Sequence, residues 1–334
     1  MDRRDAPREC ATGENLVTHV AYVCPLCLRG LIFRSADGDA SAGVLSCETD
    51  HSFPVAEGLP RFVQDEGYSA SFGFQWQLHC ATQLDSSTRT SLTRDRFFRG
   101  TGWPDRMEGE TILEAGCGSG RFTEILTSTG AEICSFDYSR AAEVTASRFR
   151  NANLRVCQAS IYQMPYRPAS FDRVFCYGVL QHCPDVKAAF FSLARMVKPG
   201  GHLAVDVYDR RLLWFHSRYR VRWITRRMDK ERLYSWCRKL VPLYMKIVPP
   251  LHPWNLLVVP LKDYRGVLPG LSREQEIEWS ILDTFDFLSP RFDSPQSTRT
   301  MWAWCEQAGL CAIELSRGGN GIEVRARRPV AGQG

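Results

Sequence analysis

The segment from Glu114 to Gly120 has glycine at every second position, Gly116, Gly118 and Gly120, directly after a short apolar run. A tight turn from a strand into a helix, and the close approach of a backbone to a ligand, both favour residues without a Cβ. Asp137 ends the next apolar run, and a carboxylate there can accept two hydrogen bonds from the hydroxyls of a ribose. The spacing therefore predicts a site for a cofactor that contains a nucleoside.

A dinucleotide is the main alternative ligand, since its binding loop also lies at a first strand–helix turn. The G-x-G-x-x-G pattern of that loop would require glycine at position 121 after Gly116 and Gly118, whereas the chain has Arg121 there. The observed order, E-x-G-x-G-x-G, favours a ligand without a pyrophosphate.

A second pattern has the residue types and spacing of a metal site. Cys24, Cys27, Cys47 and His51 follow the order C-x2-C-x19-C-x3-H. Two knuckles with two soft ligands each can close on one tetrahedral zinc ion, and the turn of the hairpin between them is expected at Asp37 to Gly43. Four protein ligands leave no open position, so the predicted zinc is structural. The alternative, cysteines that only pack in a core, does not account for two knuckles at this separation.

Three further residues could act on a second substrate bound beside the cofactor, which we call the acceptor. His182 follows a predicted strand, at the edge where open α/β sheets bind ligands, and could act as a general base toward a hydroxyl. The alternative is a structural histidine ahead of Pro184.

Asp283 and Asp286 lie three positions apart in a predicted helix, so both carboxylates could orient hydroxyls of an acceptor. The alternative for this pair is a solvated acidic helix face.

Alternating strands and helices are predicted to position these residues. The β-prone runs are 111–115, 132–136, 154–159, 171–177 and 202–208, followed by a hairpin of 312–316 and 322–325. Apolar residues at helical spacing separate several of these runs. Repeated strand–helix–strand units imply an α/β fold with a parallel sheet that helices cover on both faces.

This pattern divides the chain into parts with different expected roles. They are a zinc-ribbon module at 1–66, a helical connector at 67–109, a cofactor-binding core at 110–208, an acceptor-side insert or lid at 209–294, and a C-terminal helix and hairpin at 295–334. No secretory or membrane-spanning apolar run is apparent, so a cytoplasmic protein with reduced cysteines is expected.

The formal net charge of +5 is unevenly distributed. From Arg210 to Lys239 the sequence has 11 Lys or Arg against Asp229 and Glu231, a local net charge of +9. Such a basic segment is predicted to meet an anionic small molecule, the surface of an anionic membrane, or RNA. RNA is the least favoured, because the positive charge is confined to one segment. The alternative is a lid with a solvated arginine face, whose apolar side is expected at Leu212, Phe215, Tyr219 and Trp223.

Several segments in succession resemble motifs of the class I, Rossmann-like S-adenosylmethionine-dependent methyltransferases, namely Leu113–Arg121, Asp137, Phe171–Phe175 with Leu180–His182, and Leu193–Gly201. The resemblance implies a seven-stranded sheet whose last strand is antiparallel. It also implies which residues bind S-adenosylmethionine. Glu114, Gly116, Gly118 and Gly120 would surround its methionine part, and Asp137 would bind its ribose. Ser160 and Ile161 would lie on the adenine side, where the family commonly has an acid and this chain offers only a hydroxyl.

A zinc ribbon followed by such a domain resembles two groups of bacterial enzymes. One group is the rRNA guanine methyltransferases with a Cys/Cys/Cys/His site. The other consists of methyltransferases whose N-terminal part is akin to a small zinc-binding activator, and Phe72–Trp76 and Asp283–Pro290 favour this group. Its acceptors are mostly small molecules or glycans. We therefore expect O-methylation of a small metabolite, natural product or sugar, with rRNA or tRNA methylation and a non-catalytic scaffold as alternatives.

Overall fold

Two β-sheets organise the protein in this computed structural model. The structure describes residues 20–36, 38–65, 67–150, 153–211, 216–250 and 254–330. Leu212 and Phe215, which were expected on an apolar helix face, lie outside these residues, as does Asp37 of the expected hairpin turn.

The smaller sheet is antiparallel and lies near the N-terminus. Its strands, in spatial order, are β1 (Ile32–Ala36), β2 (Asp39–Ser46), β3 (Ser52–Ala56) and β4 (Leu59–Pro60). Because β2 begins at Asp39 and contains Gly43, the turn is tighter than the predicted span of 37–43. The chain then crosses to the larger sheet, where Phe62 N donates to Gln158 O at 2.8 Å.

The larger sheet has the order β10-β11-β9-β8-β5-β6-β7. Its strands are β5 (Thr111–Ala115), β6 (Glu132–Asp137), β7 (Leu154–Gln158), β8 (Phe171–Cys176), β9 (Val197–Val207), β10 (Cys311–Gly318) and β11 (Gly321–Arg327). Strands β5 to β9 pair in parallel, and β11 pairs antiparallel with β9. This order confirms the predicted α/β fold. All five residues of β5 are buried, as is typical of a central strand that helices cover on both faces.

Helices connect and cover these strands. They are α1 (Ala70–Leu78), α2 (Asp85–Thr88), α3 (Leu92–Thr101), α4 (Thr123–Thr127), α5 (Ala141–Arg148), α6 (Val186–Met196), α7 (Arg218–Thr225), α8 (Lys230–Ile247), α9 (Arg273–Leu288) and α10 (Thr298–Gln307). Helix α9 is capped by Ser272, whose hydroxyl accepts from Gln275 N while the Gln275 side chain accepts from Ser272 N. This reciprocal cap holds the first turn of the helix that carries Asp283 and Asp286. Among the described residues, no helix is both long enough and apolar enough to cross a membrane.

The basic insert forms a second helical layer built around α9. Leu233, Cys237, Val241 and Met245 of α8 pack with Phe285 and its neighbours on α9. The prediction of a solvated arginine face is wrong in part, because the side chains of Arg218 and Arg222 are buried. Arg222 donates to Phe287 O and Pro290 O, both at 2.8 Å. Trp223, expected on the apolar side, is 62% exposed.

Candidate active site

The glycine loop leaves β5 at the carboxyl edge of the sheet. Gly116, Gly118 and Gly120 all have left-handed backbone angles, with φ of 81°, 55° and 93°. A side chain at Gly116 would also overlap Val179. Gly116 N and Cys117 N both donate to the Phe136 carbonyl, at 2.7 and 3.1 Å, which ties the loop to the end of β6. The backbone therefore takes this path only with glycine at these positions.

Asp137 is fixed beside this loop by short-range hydrogen bonds. Its Oδ2 accepts from Gly118 N at 2.9 Å, and its Oδ1 accepts from Ser139 N at 2.8 Å and Ser139 Oγ at 2.7 Å. Gly116, Gly118 and Asp137 all line one cavity of about 680 Å³. We call Gly116, Gly118 and Asp137 the glycine wall of this cavity. Gly120, which was also expected to surround the cofactor, does not line the cavity, and a Cβ there would meet the ring of Phe149 instead.

Glu114 does not line the cavity, in contrast to the expectation that it surrounds the cofactor. Its Oε2 accepts from Thr123 Oγ1 at 2.7 Å and Ser135 Oγ at 2.6 Å, so it joins the start of α4 to β6 beneath the loop. Burial raises the pKa of this carboxyl to about 7. Glu114 thus holds the glycine loop from below.

The two residues predicted for the adenine side separate in the structure. Ile161 lines the cavity, whereas Ser160 does not. Ser160 Oγ instead accepts from Tyr162 N at 3.3 Å. Tyr68 and Tyr138 do line this part of the cavity, and their rings stack with centroids 5.0 Å apart.

His182 lies in a short 3-10 turn after β8 and lines the cavity. Its ring is buried between Phe72 and Tyr208, with centroids 4.9 and 5.5 Å away. Nδ1 is 3.1 Å from Phe292 O, and because a carbonyl only accepts, this nitrogen carries the proton and Nε2 keeps its lone pair. Burial lowers the pKa of His182 to about 4, so the imidazole is neutral at pH 7.

Both predicted acids line the same cavity. Asp283 Oδ1 accepts from Gln83 Nε2 at 3.1 Å, and Asp283 Oδ2 accepts from the Tyr264 hydroxyl. Asp286 Oδ1 and Oδ2 are 3.4 Å from Gln75 Nε2 and 3.5 Å from the Tyr208 hydroxyl. We call Asp283 and Asp286, together with their donors Gln75, Gln83, Tyr208 and Tyr264, the acid wall.

The acid wall contains a carboxyl group whose pKa lies near neutral pH. Burial, and then the neighbouring charge of Asp283, raise the pKa of Asp286 to about 7. Lys262 also lines the cavity, and burial lowers its pKa to about 8. The cavity therefore contains two groups that can exchange protons close to physiological pH.

Arg121, which directly follows the glycine loop, contacts the acid wall. Its Nη1 donates to Gln83 Oε1 at 3.0 Å, and the amide of the same glutamine donates to Asp283. Its Nε donates to Thr93 Oγ1 at 3.1 Å. The residue that breaks the dinucleotide pattern thus supports the acid wall.

Cys24, Cys27, Cys47 and His51 come together in the N-terminal module. One ligand atom from each lies within 4.8 Å of the others. His51 Nδ1 is 3.5 Å from the Sγ atoms of both Cys24 and Cys47, and the Sγ atoms of Cys27 and Cys47 are 3.7 Å apart. A tetrahedral zinc ion at about 2.3 Å from sulfur and about 2.0 Å from nitrogen requires edges of about 3.8 and 3.5 Å. The donor set and its spacing fit such an ion.

Part of the core that contains this cavity matches a known protein family. Residues 113–205 match the family model described as a methyltransferase domain. This part of the chain is a methyltransferase domain. The matched range begins within β5 and ends within β9, so it includes the glycine loop, Asp137 and His182.

Curated relatives share this methyltransferase domain. The ubiquinone biosynthesis O-methyltransferase of Alkalilimnicola ehrlichii is 34% identical over 110 residues, which are 31% of this chain and 44% of that protein. The mitochondrial ubiquinone biosynthesis O-methyltransferase of Schizosaccharomyces pombe is 29% identical over 184 residues, 51% of this chain and 61% of that protein. The chain spans about half the length of the curated relatives it matches.

Solved structures also align with the chain at low identity. A SAM dependent methyltransferase from Aquifex aeolicus has 13% identity and a TM-score of 0.41, over 77% of this chain and 98% of that one. An S-adenosylmethionine dependent methyltransferase from Mesorhizobium loti has 14% identity and a TM-score of 0.41, over 72% and 98%.

Sequence reasoning missed the residues that α1 and the 3-10 turn before it contribute to the cavity. Tyr68, Phe72, Gln75 and Trp76 all line the cavity. Their spacing of i, i+4, i+7 and i+8 is that of one helical face, which was the available signal. Lys262 and Tyr264 were missed as well, and their sequence neighbourhood has no comparable periodicity.

Proposed function

We propose that this protein transfers the methyl group of S-adenosylmethionine to a hydroxyl oxygen of a small molecule. The observation that carries the proposal is a single cavity that both the glycine wall and the acid wall line. The methyltransferase domain supports the cofactor, and the names of the curated relatives support oxygen as the acceptor atom.

The glycine wall has the features that S-adenosylmethionine requires. Gly116 and Gly118 would bring the backbone close to the methionine part, and Asp137 would accept from the ribose hydroxyls. Ile161 would cover the adenine, with the stacked Tyr68 and Tyr138 next to it. Ser160 has no place in this arrangement. When bound, S-adenosylmethionine supplies a methyl group on a sulfonium, which is already activated toward a nucleophile.

The acid wall would bind the acceptor hydroxyl and remove its proton. A general base works best when its pKa is close to the working pH, and Asp286 meets this condition. The proton of the acceptor oxygen would pass to a carboxylate oxygen of Asp286 as the oxygen gains the methyl group. Asp283, held by Gln83 and Tyr264, would orient the acceptor.

His182 would position the site and would not act as the base. Its Nε2 lone pair is available, but the low pKa of about 4 makes it a much weaker proton acceptor than Asp286. Its contacts with Phe72 and Tyr208, and its bond to Phe292 O, instead link three segments around the cavity.

The structure of the basic insert weakens the case for RNA as the acceptor. Arg218 and Arg222 were among the residues that suggested an anionic polymer, and both are buried. Buried guanidinium groups cannot neutralise phosphates at a surface.

The Cys/His cluster would hold one structural zinc ion through Cys24, Cys27, Cys47 and His51. These residues bring the knuckle before β1 and the knuckle between β2 and β3 together. Elemental analysis of protein purified without added metal should find one zinc per chain. A zinc content near zero would contradict this assignment.

Calorimetry with S-adenosylhomocysteine and NAD tests the proposal at its first step. We expect S-adenosylhomocysteine to bind with micromolar affinity, about −8 kcal/mol, and NAD not to compete. Protein incubated with methyl-labelled S-adenosylmethionine should then label members of a panel of phenols, catechols and sugars. The absence of cofactor binding would instead favour the non-catalytic scaffold.

A further inference from the structure

Helix α8 carries a line of large apolar side chains that face solvent. Trp236, Leu240, Leu243 and Ile247 are 47%, 47%, 52% and 69% exposed. At 3.6 residues per turn, these four positions fall within about 60° of the helix circumference. We call them the apolar stripe. They are not the core face of the helix, because Leu233, Cys237, Val241 and Met245 already fill that role against α9.

A basic row runs along one side of the apolar stripe. Arg232, Lys239 and Lys246 are exposed and are spaced by seven residues, so they lie along nearly one line of the helix. Arg232 also covers the Trp236 ring, with its guanidinium carbon 5.6 Å from the ring centroid. Glu231, in the first turn, is the one acid in the sequence of α8.

The same combination continues beyond α8. Trp223 and Ile224 on α7 are 62% and 49% exposed, and Arg226 and Arg227, which follow them, are exposed as well. Trp254 and Val258, which come after α8, are 72% and 77% exposed. Exposed tryptophan and aliphatic side chains with lysine and arginine at their edge are the composition of helices that lie in a membrane interface.

We propose that the apolar stripe and the basic row of α8 dock this protein onto the surface of a bilayer that contains anionic phospholipids. The apolar stripe would enter the boundary between head groups and acyl chains, and the basic row would meet the lipid phosphates. The charge distinguishes this partner from a second copy of the chain. In a twofold dimer with antiparallel α8 helices the basic rows of the two copies would face each other, whereas lipid phosphates would neutralise the row.

Vesicle flotation with the full chain tests this docking, independently of methyl transfer. Vesicles of phosphatidylglycerol and phosphatidylcholine should carry the protein, and vesicles of phosphatidylcholine alone should carry much less. A rise from low to high sodium chloride should release the protein, because salt screens the attraction.

Two variants separate the two parts of the surface. The triple substitution Arg232→Gln, Lys239→Gln and Lys246→Gln should weaken binding to the anionic vesicles about 100-fold, since each cation near the surface contributes on the order of a fivefold factor. The triple substitution Trp236→Ser, Leu243→Ser and Ile247→Ser should reduce binding at least as much. Since all these side chains are exposed, both variants should keep the wild-type melting temperature.

Matched controls change the same residue types elsewhere. Trp302→Ser with Val330→Ser removes two exposed apolar side chains, and Arg167→Gln with Lys187→Gln and Arg195→Gln removes three exposed cations. Neither control should alter flotation.

Equal binding of the wild type to neutral and anionic vesicles, or no binding to either, would overturn the proposal. A concentration-dependent dimer in ultracentrifugation that the apolar-stripe variant abolishes, without vesicle binding, would assign this surface to a second copy instead.

Discussion

The two walls of the cavity are built by different means. The glycine wall is a local structure, in which the bond from Gly118 N to Asp137 spans 19 residues and uses the backbone on one side. The acid wall is assembled from distant segments, since Gln83 and Asp283 are 200 residues apart and Gln75 and Asp286 are 211 apart. Only side chains form these long-range bonds.

This difference predicts which substitutions each wall can tolerate. In the glycine wall the backbone conformation itself makes the site, so any added side chain disturbs it. In the acid wall each carboxylate has separate donors, so single substitutions should change one property at a time.

The largest effect should follow from Gly118→Val. The left-handed φ of 55° strains any other residue, and the new Cβ would lie 3.2 Å from Trp76 Nε1, inside the cavity. We expect S-adenosylhomocysteine binding to fall below detection in calorimetry. The control is Gly109→Val, which has a similar φ of 79° but no neighbouring atom within 4 Å. If both variants bind like the wild type, the glycine wall does not hold the cofactor.

The next largest effect is expected for a substitution of Asp286, and it should change turnover and not cofactor binding. Asp286→Asn should lower kcat by about 10² to 10⁴, because the amide cannot accept the acceptor's proton. Asp286 must be deprotonated to act as a base, so wild-type kcat should rise as pH increases toward about 7 and level off above it. Asp286→Asn should remove this rise, as measured by initial rates on any acceptor identified in the screen.

His182→Gln is the control for the identity of the base. It should keep the dependence of kcat on pH and change turnover less than tenfold, since His182 is assigned a positioning role. Loss of the pH-dependent rise in His182→Gln, together with its retention in Asp286→Asn, would reverse the two roles.

The contrast between the walls also explains what could be predicted from the sequence. The strand–helix order, the hairpin of β10 and β11, and the position of Asp137 follow from local periodicity and turn residues. The cavity side of α1 had a helical spacing as its local signal, but the contacts of Gln75 and Gln83 with α9 depend on packing between distant segments that no local pattern encodes. The burial of Arg218 and Arg222 is a further example, because an amphipathic pattern does not reveal that carbonyl groups such as Phe287 O will accept from an arginine.

A moderate effect is expected for Asp137→Ala. Loss of charge-assisted hydrogen bonds should weaken binding of S-adenosylhomocysteine by about 2–4 kcal/mol in calorimetry. Ser139→Ala is the matched control, because it removes one donor to Asp137 Oδ1 but leaves the carboxylate in place. This control should change affinity less than tenfold. Equal effects of the two variants would mean that Asp137 only supports the loop.

The smallest effect should come from Gln75→Leu, which tunes the acid wall without removing an acid. The amide of Gln75 donates to Asp286 and stabilises its charged form, so its loss should raise the pKa of Asp286 above its present value of about 7. At 3.4 Å this hydrogen bond to a carboxylate is long, so its loss corresponds to roughly half to one pH unit, and the midpoint of the kcat profile should move upward by that amount. Gln83→Leu provides the control, because its amide bonds to Asp283, and it should raise KM for the acceptor with little change in the midpoint. If both substitutions move the midpoint equally, the midpoint does not report on Asp286 alone, and the assignment of the base to Asp286 is wrong.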